Sequence, residues 1–286
     1  MLTDLPQTVG DFDLGARVGS GGIAVVVRAT HRPSGRVVAV KLFERRLFDR
    51  MHHSARFLAE ARAMSRLRHP RIARVYGAGR EDDWYWYAMR YLPDGSVHER
   101  VTQHGAERED RALSLAHDVL EGLVVVHEAG MMHRDVKPQN VMLDGGRAML
   151  VDFGLARHPA GTVPYRTRSD TGMGTPGFVA PEQRIDASRV DGRADVFSTG
   201  SLLVYLVTGE QPVALALPDK QRRAFLLGKV PESLAPIVTC ATAFPPEDRY
   251  PTAVAMREAV NEPGPRCART GMVAEDSVHD RGLVRY

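Results

Sequence analysis

Lysine and cysteine are both scarce in this chain of 286 residues. Only four of its 38 basic residues are lysines, which leaves 34 arginines. The lysines are Lys41, Lys137, Lys220 and Lys229. The two cysteines, Cys240 and Cys267, match no metal-binding spacing and are too few for the several disulfides that hold small secreted domains together. Where only positive charge matters, this sequence uses arginine, so each lysine position invites a specific explanation.

Long apolar runs and a strong net charge are also missing. No run approaches the roughly 20 apolar residues of a membrane span, and no signal peptide is evident, so we expect a cytoplasmic protein without a membrane span. The net charge is only +3. We interpret the arginines between positions 62 and 74 as a solvated helix face, and we expect no nucleic-acid partner. A 43% hydrophobic composition allows one large core or two lobes that share a cleft.

One block of sequence indicates a specific chemistry. Positions 133–140 read His-Arg-Asp-Val-Lys-Pro-Gln-Asn, and positions 152–154 read Asp-Phe-Gly. Transfer of a phosphoryl group from ATP to a hydroxyl needs an acceptor for the hydroxyl proton, which suits Asp135. It needs a cation near the transferred phosphate, which suits Lys137. It also needs oxygen ligands for Mg²⁺, which suit Asn140 and Asp152.

The spacing within this block predicts a β-hairpin. Short apolar runs at positions 141–143 and 148–151 flank an Asp-Gly-Gly turn signal at positions 144–146. Asn140 would then lie just before one strand, and Asp152 just after its antiparallel partner. The two expected metal ligands should therefore meet at the same end of the hairpin.

These motifs resemble the catalytic and magnesium-binding loops of eukaryotic-type (Hanks-type) protein kinases, and the Asp-x-Lys-Pro-x-Asn pattern resembles the bacterial serine/threonine kinases among them. The resemblance implies an α+β, bilobal fold with a β-rich N-lobe at 12–91, which contains one key helix, and an α-rich C-lobe at 92–262. Strand patterns before position 92 and helical patterns after it agree with that division. Residues 1–11 would be an N-terminal extension, and 263–286 a flexible tail.

The expected nucleotide site begins at a glycine-rich segment. Gly19, Ser20, Gly21 and Gly22 fit the phosphate-covering loop of the family, although Ala24 replaces its third glycine and the segment alone is also typical of an ordinary hairpin. By the resemblance, the backbone of Arg90 and Leu92 would bind adenine. Apolar side chains would line its pocket, although plain core packing explains them nearly as well. They are Val26, Ala39, Met89 and Met142.

Lys41 is the second lysine that the resemblance explains. It ends the apolar run at 37–40, where a buried charge is costly unless it is paired. The resemblance implies that Lys41 contacts the α- and β-phosphates of ATP and pairs with a glutamate on the next helix. Glu60 is the only acid in the helical pattern at 54–67, so it is the expected partner. Two of the four lysines thus fall on phosphate-binding positions, where a compact ammonium is not replaced by guanidinium.

The activation segment would run from Asp152 to Glu182. Its candidate phosphosites are Thr167, Ser169 and Thr171, which Arg134 could contact once they are phosphorylated. At the end of the segment, Glu182 should pair with Arg249. Asp195, at the start of an apolar helix, should bind the backbone of the catalytic loop.

The sequence therefore predicts a Mg²⁺- and ATP-dependent serine/threonine protein kinase that acts on protein substrates. It would phosphorylate its own activation segment, with a homodimer possible for reaction in trans. One alternative is an ATP-binding pseudokinase that acts as a regulatory scaffold. Another is a small-molecule phosphotransferase of related fold, although such enzymes usually lack the Ala180-Pro181-Glu182 motif.

Overall fold

The computed structural model describes residues 5–21, 24–46, 54–153, 177–185 and 190–262. Its first half contains a six-stranded antiparallel sheet with the order β1-β2-β3-β4-β6-β5. The strands are β1 (Thr8–Val9), β2 (Phe12–Ser20), β3 (Ala24–His31), β4 (Arg36–Glu44), β5 (Val75–Glu81) and β6 (Trp84–Arg90). Helix α1 (Ser54–Arg66) lies between β4 and β5 in the chain.

The two faces of this sheet are covered by different apolar clusters. The cluster on one face contains Phe43, Phe57 of α1 and Tyr87, and the cluster on the other contains Val25, Val40 and other residues. β-Branched valines fill β3 and β4 because such side chains pack well on a pleated surface. The sheet is thereby held against α1 on the side where Lys41 and Tyr87 are in register.

The second half is mostly helical. Its helices are α2 (Val97–His104), α3 (Glu109–Glu128), α4 (Pro181–Ile185), α5 (Arg193–Thr208), α6 (Lys220–Leu227), α7 (Ala235–Ala241) and α8 (Ala253–Asn261). α5 is buried on nearly all sides, from Ala194 to Leu206, as expected for a helix that is apolar all round. α3 packs beside it in the same large core, so both helices form a rigid base for the segment between α3 and the hairpin. Among the described helices, none is both long and apolar enough to cross a bilayer.

The predicted hairpin is present as β7 (Val141–Asp144) and β8 (Arg147–Leu150). Gly145 and Gly146 form its two-residue turn with φ values of +56° and +78°, a backbone that glycine adopts without strain. β8 also bonds to the segment before β5, since the Leu150 N–H donates to Arg71 O and the Ala73 N–H donates to Leu150 O, both at 2.9 Å. The hairpin therefore lies at the junction between the β-rich and helical parts, and the predicted α+β bilobal fold is confirmed.

Helix ends differ slightly from the sequence prediction. The helical pattern at 54–67 extends one residue beyond α1, which ends at Arg66, and α3 begins at Glu109. Glu109 and Asp110 occupy the first turn of α3, where their negative charges interact favourably with the helix dipole. Neither acid is among the buried residues of α3, so apolar periodicity alone does not reveal this first turn.

Candidate active site

The two expected metal ligands lie at the same end of the hairpin, as predicted. Asn140 ends a 3₁₀ turn (Pro138–Asn140) and directly precedes β7. The Val151 N–H donates to Asn140 O at 3.0 Å, which extends the pairing by one step beyond β8. Asp152 follows immediately with a left-handed backbone, φ +56°. A non-glycine residue in that region is uncommon and is typical of functional sites, where the surrounding structure holds it in place.

Asp135, Lys137 and Asn140 form a bonded cluster. The Lys137 ammonium lies 2.9 Å from Asp135 Oδ2, with both side chains mostly buried. The Asn140 amide nitrogen donates to Asp135 Oδ2 at 2.9 Å and to Asp135 O at 2.8 Å. Two donors thus hold the Asp135 carboxylate in one orientation. This is the arrangement that a group accepting a proton from a substrate hydroxyl requires.

Lys41 and Asp152 form a second ion pair, across the junction. Lys41 Nζ donates to Asp152 Oδ2 at 2.7 Å, and the Tyr87 hydroxyl donates to Asp152 Oδ1 in a short hydrogen bond. Burial by itself would raise the pKa of Asp152, but the charge of Lys41 and the hydrogen bonds from Lys41 and Tyr87 outweigh it, so that pKa lies below its usual value. Asp152 is therefore ionised at neutral pH.

Glu60 lies half-buried on α1, one turn after Phe57, which is fully buried. The observed partner of the Lys41 ammonium is Asp152. The pair between Lys41 and Glu60 stays a prediction.

Asp195 binds the backbone of the loop that carries Asp135, as predicted. Its carboxylate is fully buried at the start of α5 and accepts hydrogen bonds from the His133 N–H at 2.9 Å and the Arg134 N–H at 2.7 Å. The same carboxylate is 2.8 Å from His127 Nε2 on α3. Burial opposes ionisation of Asp195, but the contacts with His127 and His133 lower its pKa overall. Arg134 has a left-handed backbone with φ +63°, which is strained for a residue other than glycine. The two backbone hydrogen bonds to the Asp195 carboxylate hold this turn in place beside Asp135.

The expected adenine-pocket residues come together in one apolar cluster. Ala39, Met89 and Leu92 are buried in it, and Val26 and Met142 pack against it half-exposed. The Arg90 N–H donates to Arg74 O at 2.9 Å, so an adenine contact at position 90 would use the carbonyl oxygen. The Arg90 side chain pairs with Asp144 of the hairpin at 2.9 Å.

The glycine-rich segment connects β2 to β3. Gly19 and Ser20 are paired with Val26 and Val25, and the Gly21 N–H donates to Ala24 O at 2.8 Å. A Cβ placed on Gly21 would meet nothing within 4 Å, so space for a ligand exists above it. Gly22 and the candidate phosphosites Thr167, Ser169 and Thr171 lie outside the described residues.

The predicted pair at the end of the activation segment is present. Arg249 donates from Nη1 to Glu182 Oε1 at 2.6 Å and from Nη2 to Glu182 Oε2 at 2.8 Å. This bidentate geometry is the strongest form of an arginine–carboxylate contact. It ties α4, which begins at Pro181, to the segment before α8.

The donor set at the hairpin fits a hard divalent cation. Because the Asn140 amide nitrogen is used on Asp135, its amide oxygen is the atom that a cation could bind, beside the carboxylate of Asp152. Oxygen ligands of this kind suit Mg²⁺. Another group of possible ligands, His117, Asp118 and Glu121, fits poorly because Arg147 and Arg71 already bind the Asp118 carboxylate at 2.5 and 3.2 Å.

A β-rich sheet with one helix, a helical base and a carboxylate, lysine and asparagine cluster at their junction are features of the protein kinase fold. Residues 12–239 match the family model described as the protein kinase domain, and the chain belongs to that family. It is 34% identical over 254 residues to the serine/threonine-protein kinase PknL of Mycobacterium tuberculosis, which covers 84% of this chain and 62% of PknL. The chain therefore spans about three fifths of the length of that relative.

Two solved structures share the fold. The PknI kinase domain of Mycobacterium tuberculosis is 25% identical, with a TM-score of 0.73 over 92% of this chain and 100% of that one. Rad53 residues 1–466, solved in complex with AMP-PNP, is also 25% identical, with a TM-score of 0.67 over 86% of this chain and 64% of that one.

Tyr87 and His127 are site residues that the sequence interpretation did not identify. Tyr87 lies in an aromatic run on β6, the strand that ends at Arg90. The available signal was a tyrosine on a strand beside the expected nucleotide site, because a buried hydroxyl requires a hydrogen-bond partner. His127 lies in the last turn of α3. A histidine at the end of an apolar helix is equally typical of core packing, so its type and position did not mark it as a site residue.

Proposed function

We propose that this chain is an ATP-dependent serine/threonine protein kinase that uses Mg²⁺. The observation that carries the proposal is the bonded cluster of Asp135, Lys137 and Asn140 beside the pair between Lys41 and Asp152. Each group needed for phosphoryl transfer to a hydroxyl is present within this cluster, and several are held by more than one contact. The relatives named as serine/threonine-protein kinases support a protein as the phosphate acceptor. The AMP-PNP complex of Rad53 supports a nucleotide as the phosphate donor.

In this proposal Asp135 orients the substrate hydroxyl and accepts its proton as the oxygen bonds to the γ-phosphorus. The bond between that phosphorus and the β,γ-bridging oxygen breaks, and ADP leaves with the electron pair. Lys137 neutralises charge on the transferred group, and Lys41 exchanges Asp152 for the α- and β-phosphates. Mg²⁺, when bound, would neutralise phosphate charge between Asn140 and Asp152.

The finer parts of the proposal concern regulation. Autophosphorylation would occur on Thr167, Ser169 or Thr171, in trans through a transient homodimer. The dependence on ATP, an intracellular nucleotide, favours a cytoplasmic location for this domain. Protein substrates are favoured over small molecules because the chain retains the Glu182–Arg249 contact that closes an activation segment.

The test is incorporation of labelled phosphate from Mg-ATP into the purified chain and into a generic protein substrate. Asp135→Asn is the matched control, because asparagine keeps the shape but cannot accept the proton. We expect transfer by the native chain and a loss of about 100-fold or more in the variant. Mass spectrometry should place phosphate on residues 162–171.

Nucleotide binding without transfer to any protein would contradict the kinase proposal and favour the regulatory scaffold. Transfer to a small molecule alone would favour a small-molecule phosphotransferase.

A further inference from the structure

The hydroxyl of Tyr87 is a polar group inside an aromatic wall. Tyr87 lies on β6 in register with Lys41 of β4, and its side chain is 1% exposed. Its ring packs against Phe43 with a centroid distance of 6.1 Å and against Phe57 at 6.3 Å. A hydroxyl in such a wall costs free energy unless it is hydrogen-bonded, and the observed bond goes to Asp152 Oδ1. A tyrosine in this wall therefore requires the carboxylate beside it.

The two oxygens of Asp152 have different protein partners. Oδ1 accepts from the neutral Tyr87 hydroxyl, and Oδ2 contacts the charged Lys41 ammonium at 2.7 Å. The Tyr87 hydroxyl donates to the Asp152 carboxylate, and a hydrogen bond from a neutral donor to an ionised carboxylate is charge-assisted.

We propose that Tyr87 is a positioning residue for the metal-binding carboxylate of Asp152. By holding Oδ1, it would leave Oδ2 as the oxygen that is presented to the cation. This inference rests on the proposed kinase function and adds a residue to that site.

The two donors differ in what they can do when nucleotide arrives. Lys41 is a flexible side chain, and phosphate oxygens compete for its ammonium, so it can leave Oδ2. Tyr87 packs against the rings of Phe43 and Phe57, and a neutral hydroxyl attracts phosphate oxygens less than an ammonium does, so it would keep Oδ1. A neutral donor also does not repel a divalent cation, whereas an ammonium on the same carboxylate would. Asp152 would then offer Oδ2 to a cation while Oδ1 stays bonded to Tyr87.

Without the Tyr87 hydroxyl, the Asp152 carboxylate could turn about its Cβ–Cγ bond. Its Oδ1 would lose a buried donor, and both oxygens would be drawn toward Lys41. Oδ2 would then adopt several orientations, and the cation would bind more weakly because binding would have to order the carboxylate. The loss should appear mainly in the cation requirement, because the expected nucleotide contacts to the glycine-rich segment and to the backbone of Arg90 and Leu92 do not involve Tyr87.

The experiment is titration of the full chain with fluorescent ADP at a series of Mg²⁺ concentrations, and again with EDTA. For Tyr87→Phe we expect the half-saturating Mg²⁺ concentration to rise about 5- to 20-fold, in line with the loss of one charge-assisted hydrogen bond. The affinity for ADP in EDTA should change by less than about twofold. That second value also reports whether the variant is folded.

Tyr85→Phe is the matched control. Tyr85 lies two residues away on the same strand, is 4% exposed and contacts Phe57 at 5.6 Å. Its substitution removes a hydroxyl from the same aromatic cluster without touching Asp152, so the Mg²⁺ requirement should stay at the native value.

An unchanged Mg²⁺ requirement in Tyr87→Phe would overturn the inference, and a lower requirement would mean that Tyr87 competes with the cation. Binding is measured without phosphoryl transfer, so the result is independent of catalysis. If the native chain binds Mg-ADP but transfers no phosphate, the kinase proposal fails. The Mg²⁺ requirements of Tyr87→Phe and the native chain would still decide whether Tyr87 positions Asp152.

Discussion

Replacing Glu182 with alanine should destabilise the helical part of the protein by far more than an ordinary surface ion pair would. The reason is the environment of Arg249, whose side chain is 0% exposed. Its five N–H donors make five hydrogen bonds: two to Glu182, and one each to the carbonyl oxygens of Arg193, Ala243 and Phe244. The guanidinium also lies over the Phe197 ring at 4.9 Å. Nothing else among these contacts carries a negative charge.

The magnitude follows from what remains after the substitution. Removing one partner of a buried ion pair costs about 3–5 kcal/mol because the other charge is left uncompensated. Glu182 is 19% exposed, so water can partly replace its carboxylate, and we expect about 2–3 kcal/mol. At about 2–4 °C per kcal/mol for a domain of this size, the melting temperature should fall by about 5–10 °C.

Urea unfolding monitored by circular dichroism measures this cost. Arg108→Ala is the control, since Arg108 and Asp110 form an ion pair that is 86% and 69% exposed, and its loss should change stability by less than about 0.5 kcal/mol. Arg249→Lys should cost at least as much as Glu182→Ala, because an ammonium cannot replace five donors in one plane. Equal stabilities for Glu182→Ala and Arg108→Ala would refute the reasoning.

Three further changes test other parts of the structure. Asp195→Asn should lower phosphoryl transfer about 10-fold or more and reduce stability, because an amide cannot accept both backbone bonds of the catalytic loop; kinetics and melting measured on one preparation would check this. Gly177→Ala should destabilise by about 2 kcal/mol or more in thermal melts, since its φ is +102° and a Cβ would lie 2.6 Å from the Pro212 backbone. Burial lowers the pKa of His133, so the unfolded chain binds its proton first, and stability should fall as pH drops below about 6.5. Burial opposes ionisation of Asp118, but Arg147 lowers its pKa overall, so its contribution is present above about pH 4 and is lost below it; melting temperature against pH would show both steps.

Local pattern was sufficient for much of the site. The hairpin followed from two short apolar runs and a Gly-Gly turn, and this fixed Asn140 and Asp152 at one end without knowledge of the rest of the chain. Asp135 and Lys137 lie within five residues of Asn140, so the backbone itself keeps them near each other. The order of strand and helix patterns was sufficient to predict the fold class.

Contacts between distant parts of the chain could not be predicted in this way. The Lys41 ammonium reaches Asp152 across 111 positions, and the Tyr87 hydroxyl reaches the same carboxylate across 65. Apolar periodicity shows that a residue faces the core, but it does not show which polar atom of a distant residue will lie within hydrogen-bonding distance. The sequence indicated that Lys41 needs a partner, but it did not show that its ammonium would lie against Asp152.

The sequence by itself therefore determined which chemical groups the site contains and which secondary structures carry them, because those depend on residue type and local spacing. Only the tertiary structure decided that the Lys41 ammonium and the Tyr87 hydroxyl both bind Asp152. That choice depends on how the sheet, α1 and the hairpin close on one another, and buried charges then take whichever partner the closed packing brings within hydrogen-bonding distance.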